Sequence, residues 1–154
     1  MTDSPHTTST HPGPRVAYVL GLAGLIPFVA ALLGVWVLDG QWFDLSAQAL
    51  SVYGAVILSF LGGIRWGMAL LGKGGDGDLA WVLSIVPSLV AWVAVLIGGP
   101  SGLILLACGF GAQWLYDMRA VQDAALPTWF GGLRTVLTLG AVLSQLLGAV
   151  ALLR

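Results

Sequence analysis

Apolar residues in this chain come in long blocks, not in the alternation of a half-buried strand or the stripe of a surface helix. The blocks run from Val16 to Leu38, Ala49 to Leu71, Leu79 to Ile97, Gly102 to Met118 and Leu133 to Leu153. Each is near the ~20 residues that a helix needs to cross the hydrocarbon core of a bilayer. Backbone groups in lipid must bond within their own segment, so each block predicts a helix. The predicted fold is all-α, an integral membrane bundle of five transmembrane helices. The breaks carry turn chemistry: Asp39-Gly40, the stretch from Gly72 to Asp78, and Gly98-Gly99-Pro100-Ser101-Gly102. Asp78 is placed to cap the third block, and the short third break predicts an antiparallel hairpin. Residues 1–14, rich in Ser, Thr, Pro and His, read as a disordered tail ahead of a transmembrane domain over 15–154. The tail lacks the basic n-region of a signal peptide and the Arg-rich character of a transit peptide. A bacterial inner membrane is the expected address.

Basic residues orient the bundle. With the N-terminus in the cytoplasm, Arg15, Lys73, Arg119 and Arg134 all fall inside, and Arg154 alone falls outside. The expected topology is N-in, C-out. Trp36 and Trp42 then lie near the outer interface, and Trp66, Trp81, Trp114 and Trp129 near the inner one, as aromatic belts require. Trp92 falls deeper and reads as packing.

The second block carries Ser51, Ala55, Ser59, Gly63 and Gly67 at four-residue spacing, with Gly54 and Gly62 on other faces. Small residues at that spacing let helix backbones approach closely. The second helix is therefore expected at the centre, packed through Ser59, Gly63 and Gly67. Gly140, Ser144 and Gly148 form a similar stripe in the fifth block. Pro27 and Pro87 should bend the first and third helices. A shift of 48 positions lays the second block on the fourth, pairing Gly54 with Gly102, Leu58 with Leu106, Gly63 with Gly111, Trp66 with Trp114 and Arg65 with Gln113. Such pairing hints at an internal repeat.

Composition narrows the function. The chain is 58% hydrophobic and only 8% charged, where soluble domains carry ~25% charged residues. With a net charge of −1 and no basic block, nucleic acid is not an expected partner. Both histidines, His6 and His11, lie in the tail, which removes axial haem ligands and His-based zinc from the bundle. Cys108 stands alone in an apolar run and reads as a small buried hydrophobe. Lys73 lies in a Gly-rich loop, so a retinal-type Schiff base inside the bundle is excluded. The blocks contain no Ser-His or Cys-His pair and no pair of intramembrane carboxylates, so no enzyme, metal or cofactor is expected. The expected surroundings are the lipid bilayer, with other membrane proteins or further copies of this chain as partners.

The remaining chemistry gathers at one level. Arg65 near the end of the second block, Asp117 at the end of the fourth and Arg134 at the start of the fifth all fall on the inner side. Gln113 shares a helix face with Asp117, Thr138 and Gln145 share one with Arg134, and Ser84 shares one with Ser88 in the third block. Polar groups confined to one face of a membrane helix turn towards protein. Two readings stand open. The group is an ion pair that clamps the bundle, or it is a cytoplasm-facing site where Arg65 and Arg134 hold a carboxylate or phosphate and Asp117 orients a guanidinium.

The run Tyr53-Gly54-Ala55-Val56-Ile57-Leu58-Ser59-Phe60-Leu61-Gly62-Gly63-Ile64-Arg65-Trp66-Gly67 resembles the signature of the membrane protein family called domain of unknown function 3429, which includes relatives of transmembrane protein 69. Trp81 with Ser84 and Pro87, the position of Asp117, and Trp129 with Leu133-Arg134 and Leu137-Thr138 are similar too. The likeness covers roughly residues 17–145. It implies a multi-spanning domain, draws attention to Arg65, Trp66, Asp117 and Arg134, and brings no activity with it. The functional expectation is a non-catalytic inner-membrane bundle supporting a membrane complex, with a small carrier or lipid- and anion-binding protein as the alternative.

Overall fold

The computed structural model describes residues 14–72, 77–123, 126 and 128–154. The expected tail, with its histidines, and Lys73 lie outside these residues, apart from Pro14. Six helices are described: α1 (Pro14–Ala23), α2 (Ile26–Val37), α3 (Gln41–Leu70), α4 (Asp78–Ile97), α5 (Gly99–Gln122) and α6 (Thr128–Ala151). The protein is all-α over the described residues.

The first apolar block is two helices, because Pro27 does more than bend it. Pro27 has no N–H to give the carbonyl of Ala23, and the chain tightens into a turn at Gly24-Leu25. The Gly24 N–H is shared between Leu20 and Gly21, and the Leu25 N–H donates to Leu22 at 3.0 Å. The freed Gly24 carbonyl accepts the Tyr53 hydroxyl of α3 at 2.8 Å. Phe28, just past the break, stands edge-on to Tyr53 with ring centroids 4.9 Å apart.

The other joints follow local chemistry. Gly98 and Gly99, at φ +63° and +56°, reverse the chain between α4 and α5 with no intervening loop, a conformation that glycine adopts without steric cost. Pro100 occupies the first turn of α5, where its missing N–H is harmless. Asp78 does not cap α4. Gly77 is the N-cap residue, and Asp78 sits in the first turn, where the helix dipole favours a carboxylate.

Four segments are long and apolar enough to cross a membrane: Arg15–Val37, Gln41–Leu70, Asp78–Ile97 and Trp129–Ala151. At ~1.5 Å per residue, α5 has the length as well. It is less apolar, since its inward face carries Gln113 and Asp117 among the buried residues.

The centre of the bundle is α3, which packs against α2, α4, α5 and α6. Its buried face is Leu50, Gly54, Leu58, Leu61, Gly62 and Arg65. The expected stripe of Ser59, Gly63 and Gly67 is therefore corrected. Ser59 and Gly67 are half-buried and Gly63 is exposed, and a methyl group on Gly63 or Gly67 would meet nothing within 4 Å. The close approaches occur elsewhere. Gly62 lies against the backbone carbonyl of Ser84 beside Pro87, Gly102 against that of Ala94, Gly109 against Leu58 and Gly148 against Leu50. Two further expectations change. Trp92 is 62% exposed and packs outward, and Cys108 is exposed on α5. The positions paired by the 48-residue shift share environments. Gly54 and Gly102 are both crowded, Leu58 and Leu106 are both fully buried, and Gly63 and Gly111 both face open space.

Neighbouring glycines thus give a sharp test. Gly62→Ala should lower thermal stability in detergent by ~1–3 kcal/mol, because its methyl group would drive α3 off the α4 backbone. Gly63→Ala should be neutral or gain up to ~1 kcal/mol from helix propensity. Equal melting temperatures for the two variants would place the α3–α4 contact elsewhere.

Candidate functional site

Arg65 and Asp117 stand equally far from the ends of α3 and α5, Leu70 and Gln122. These two helices run in the same direction, and α6 begins at that end with Arg134 near its start. The three ionisable groups meet there. Arg65 donates from Nε to Asp117 Oδ1 at 2.9 Å, and its Nη2 lies 2.8 Å from the same oxygen. Arg134 Nε donates at 2.6 Å to Oδ2 of the same carboxylate. Gln113 Nε2, one turn back on α5, adds a contact to Oδ1 at 3.2 Å. Arg65 Nη2 also donates to the Tyr116 carbonyl at 2.9 Å, and its guanidinium lies 4.1 Å from the centre of the Tyr116 ring.

The cluster is buried. Arg65 and Arg134 are each 4% exposed and Asp117 is 5% exposed. Both carboxylate oxygens of Asp117 are engaged by donors of the protein. Among the described residues, no group of three His, Cys, Asp or Glu side chains is placed to hold a metal ion. Two guanidiniums face one carboxylate, which leaves a formal excess of one positive charge in a low-dielectric setting. Arg134 Nη2 and Thr138 Oγ1, one turn apart on α6, are buried with no hydrogen-bond partner among the described residues.

Of the residues singled out by sequence, Arg65, Asp117, Arg134 and Gln113 come together. Thr138 lies next to the cluster on α6 but bonds to none of its members. Gln145 belongs to a different contact, donating to the Leu50 carbonyl at 3.1 Å from the notch left by Gly54. Ser84 satisfies itself locally on the Trp81 carbonyl at 2.6 Å. Sequence reasoning missed Tyr116, whose aromatic ring and position next to Asp117 are the signal that could have found it. It also missed the bond from Trp114 Nε1 to Thr135 Oγ1 at 3.0 Å, which ties α5 to α6.

A triad predicts an asymmetry that a simple pair would not. Asp117→Leu leaves two uncompensated guanidiniums and should lose ~3–5 kcal/mol of stability, or fail to accumulate. Arg65→Leu leaves the neutral Asp117–Arg134 pair and should lose clearly less. The Arg65→Leu/Asp117→Leu double variant should not be rescued, because Arg134 is then left alone. Thermal unfolding in detergent reads all three, and equal losses for the two single variants would refute the shared carboxylate.

Comparison with known proteins fits this geometry. Residues 13–150 match the family described as Protein of unknown function (DUF3429). The chain is 41% identical over 136 residues to transmembrane protein 69 of Xenopus tropicalis, covering 85% of this chain and 52% of that protein. It is 33% identical over 135 residues to transmembrane protein 69 of Mus musculus, covering 85% of this chain and 54% of that one. The chain thus spans about half the length of these curated relatives. No solved structure matches it. With its multi-pass helical bundle and a family match over nearly its whole described length, the chain belongs to the DUF3429 family of membrane proteins.

Proposed function

We propose that this protein is a non-catalytic bundle that supports a larger membrane complex. The observation that carries this reading is the inward commitment of its strongest polar cluster: both oxygens of the Asp117 carboxylate are held by donors from α3, α5 and α6. The surface adds support. Gly63 and Gly67, four residues apart on α3, leave bare backbone on the outer flank of the bundle, the feature through which membrane helices dock on one another. The partner is another membrane protein or a second copy of the chain.

On this reading the bundle crosses the membrane five times, with α5 completing the hairpins on either side of it. Its N-terminus is cytoplasmic and its C-terminus external, because Arg15, Arg119 and Arg134 share one end. Arg154 lies at the other, its guanidinium 3.7 Å from the centre of the Trp36 ring. The address is a bacterial inner membrane, where insertion from the cytoplasm selects that asymmetry.

Two measurements test these points. Gly63→Leu should keep the melting temperature of the bundle yet dissociate the complex isolated in mild detergent, read by its mass on light scattering. An unchanged mass would remove the Gly63 flank as a docking face. A phosphatase reporter fused after Arg154 should be active in the periplasm, and inactivity there would reverse the orientation.

A further inference from the structure

A cavity of about 170 Å³ lies between the broken first crossing, α3 and α6, with Phe110 of α5 also in its wall. Its lining is apolar apart from one charged side chain, Arg134. We propose that this slot binds a single-chain anionic amphiphile, a fatty-acid carboxylate, with its head on Arg134 and its chain running along α6 towards Ala141. The inference goes beyond the proposed structural role and does not depend on it.

Three observations carry it. First, Arg134 is buried and lines the cavity, and among the described residues its guanidinium bonds to Asp117 through Nε alone. The outer edge of a guanidinium is the fork that fits a carboxylate. Second, the Arg65–Asp117–Arg134 cluster carries one excess positive charge, and one monoanion neutralises it. A neutral amphiphile would not, and a buried unbalanced charge favours the anion strongly. Third, the shape suits one chain. From Arg134 to Ala141 the wall follows two turns of α6, ~10 Å at 1.5 Å per residue. Leu20 and Phe60, also in the lining, are 68% and 63% exposed, so the mouth opens towards lipid and not towards water. The break at Gly24 makes the room: a continuous first helix would carry a full turn of side chains across that space. A phospholipid, with two chains and a bulky head, fits this narrow slot poorly.

The test uses the whole protein in phosphatidylcholine nanodiscs at about pH 8.5, where a free carboxylate is ionised. Deuterated palmitate, hexadecanol and dipalmitoylphosphatidylglycerol are offered in turn, and the retained ligand is counted by native mass spectrometry. Palmitate should be retained one to one. Hexadecanol and the phospholipid should be held at least about tenfold more weakly, the factor that one charge-assisted hydrogen bond supplies. Leu137→Trp fills the slot without touching the ionic cluster, and should keep the fold while palmitate retention falls by a similar factor. Leu20→Trp, at the exposed mouth, serves if the first variant does not fold, and should lower palmitate retention by a similar factor. Equal retention of palmitate and hexadecanol would show that Arg134 does not read the head. Preference for the phospholipid, no retained palmitate, or undiminished retention in a folded slot variant would each overturn the proposal.

Discussion

A carboxylate held between two guanidiniums organises one end of this bundle, and the alternatives open to each charge explain why. An Arg placed within a membrane helix costs ~2.5–3.5 kcal/mol on insertion scales, and Asp117 is no more welcome in hydrocarbon. With these charges on α3, α5 and α6, each can satisfy the others only if the three helix ends meet. Asp117 Oδ1 takes Arg65 and Gln113, and Oδ2 takes Arg134. Directional bonds to both oxygens fix the rotation of all three helices as well as their distance. Dispersion alone would leave such helices free to slide, because lipid tails are as apolar as leucine.

The broken first crossing is fixed by a polar contact of another kind. Interrupting the first crossing at Gly24-Leu25 frees a carbonyl in a setting where an unpaired one costs several kcal/mol. The Tyr53 hydroxyl meets it, and Tyr53 stands on the same helix as Arg65. α3 therefore anchors α2 through its middle and α5 and α6 through its end. Gln145 on Leu50 adds a third cross-link to the same helix. The central place of α3 follows from these polar ties together with the close approach at Gly62.

Much of this was legible in the sequence, and the misses share a cause. Long apolar blocks give helices with little ambiguity, and charges inside them must find partners, so Arg65, Asp117 and Arg134 could be brought together before any coordinates. The start of α3 at Gln41 was hidden because Gln41–Gln48 is polar enough to read as loop, although it continues the same helix. Pro27 in the sequence predicts a bend and not a break, because sequence does not say whether a neighbour such as Tyr53 will take the released carbonyl. The packing stripe was misplaced for a geometric reason. Four-residue spacing identifies a face, but with glycines at 54, 62, 63 and 67 several faces are small, and only the position of Arg65 tells which turns inward. Counting back from Arg65 in steps of three and four gives Gly62 or Leu61, then Leu58, then Gly54, which is the buried face.

That one-residue offset gives α3 two different surfaces. The inward face, through Gly62 and Arg65, is committed to α4 and to the ionic cluster. On the outward flank, a methyl group at Gly63 or Gly67 would meet nothing within 4 Å among the described residues. A helix that is already surrounded on four sides and still carries bare backbone on its outer flank gains nothing from that flank for its own folding. In lipid, glycine there forgoes the contacts that a Leu or Val would make with acyl chains. The observation is accounted for if another helix, not lipid, covers the flank in the assembled complex. The same logic applies to Arg134, the charged side chain in the wall of an otherwise apolar slot, whose guanidinium bonds only through Nε among the described residues. Both features are unsatisfied surfaces on a bundle otherwise closed upon itself, one suited to a helix and the other to an anion with a tail.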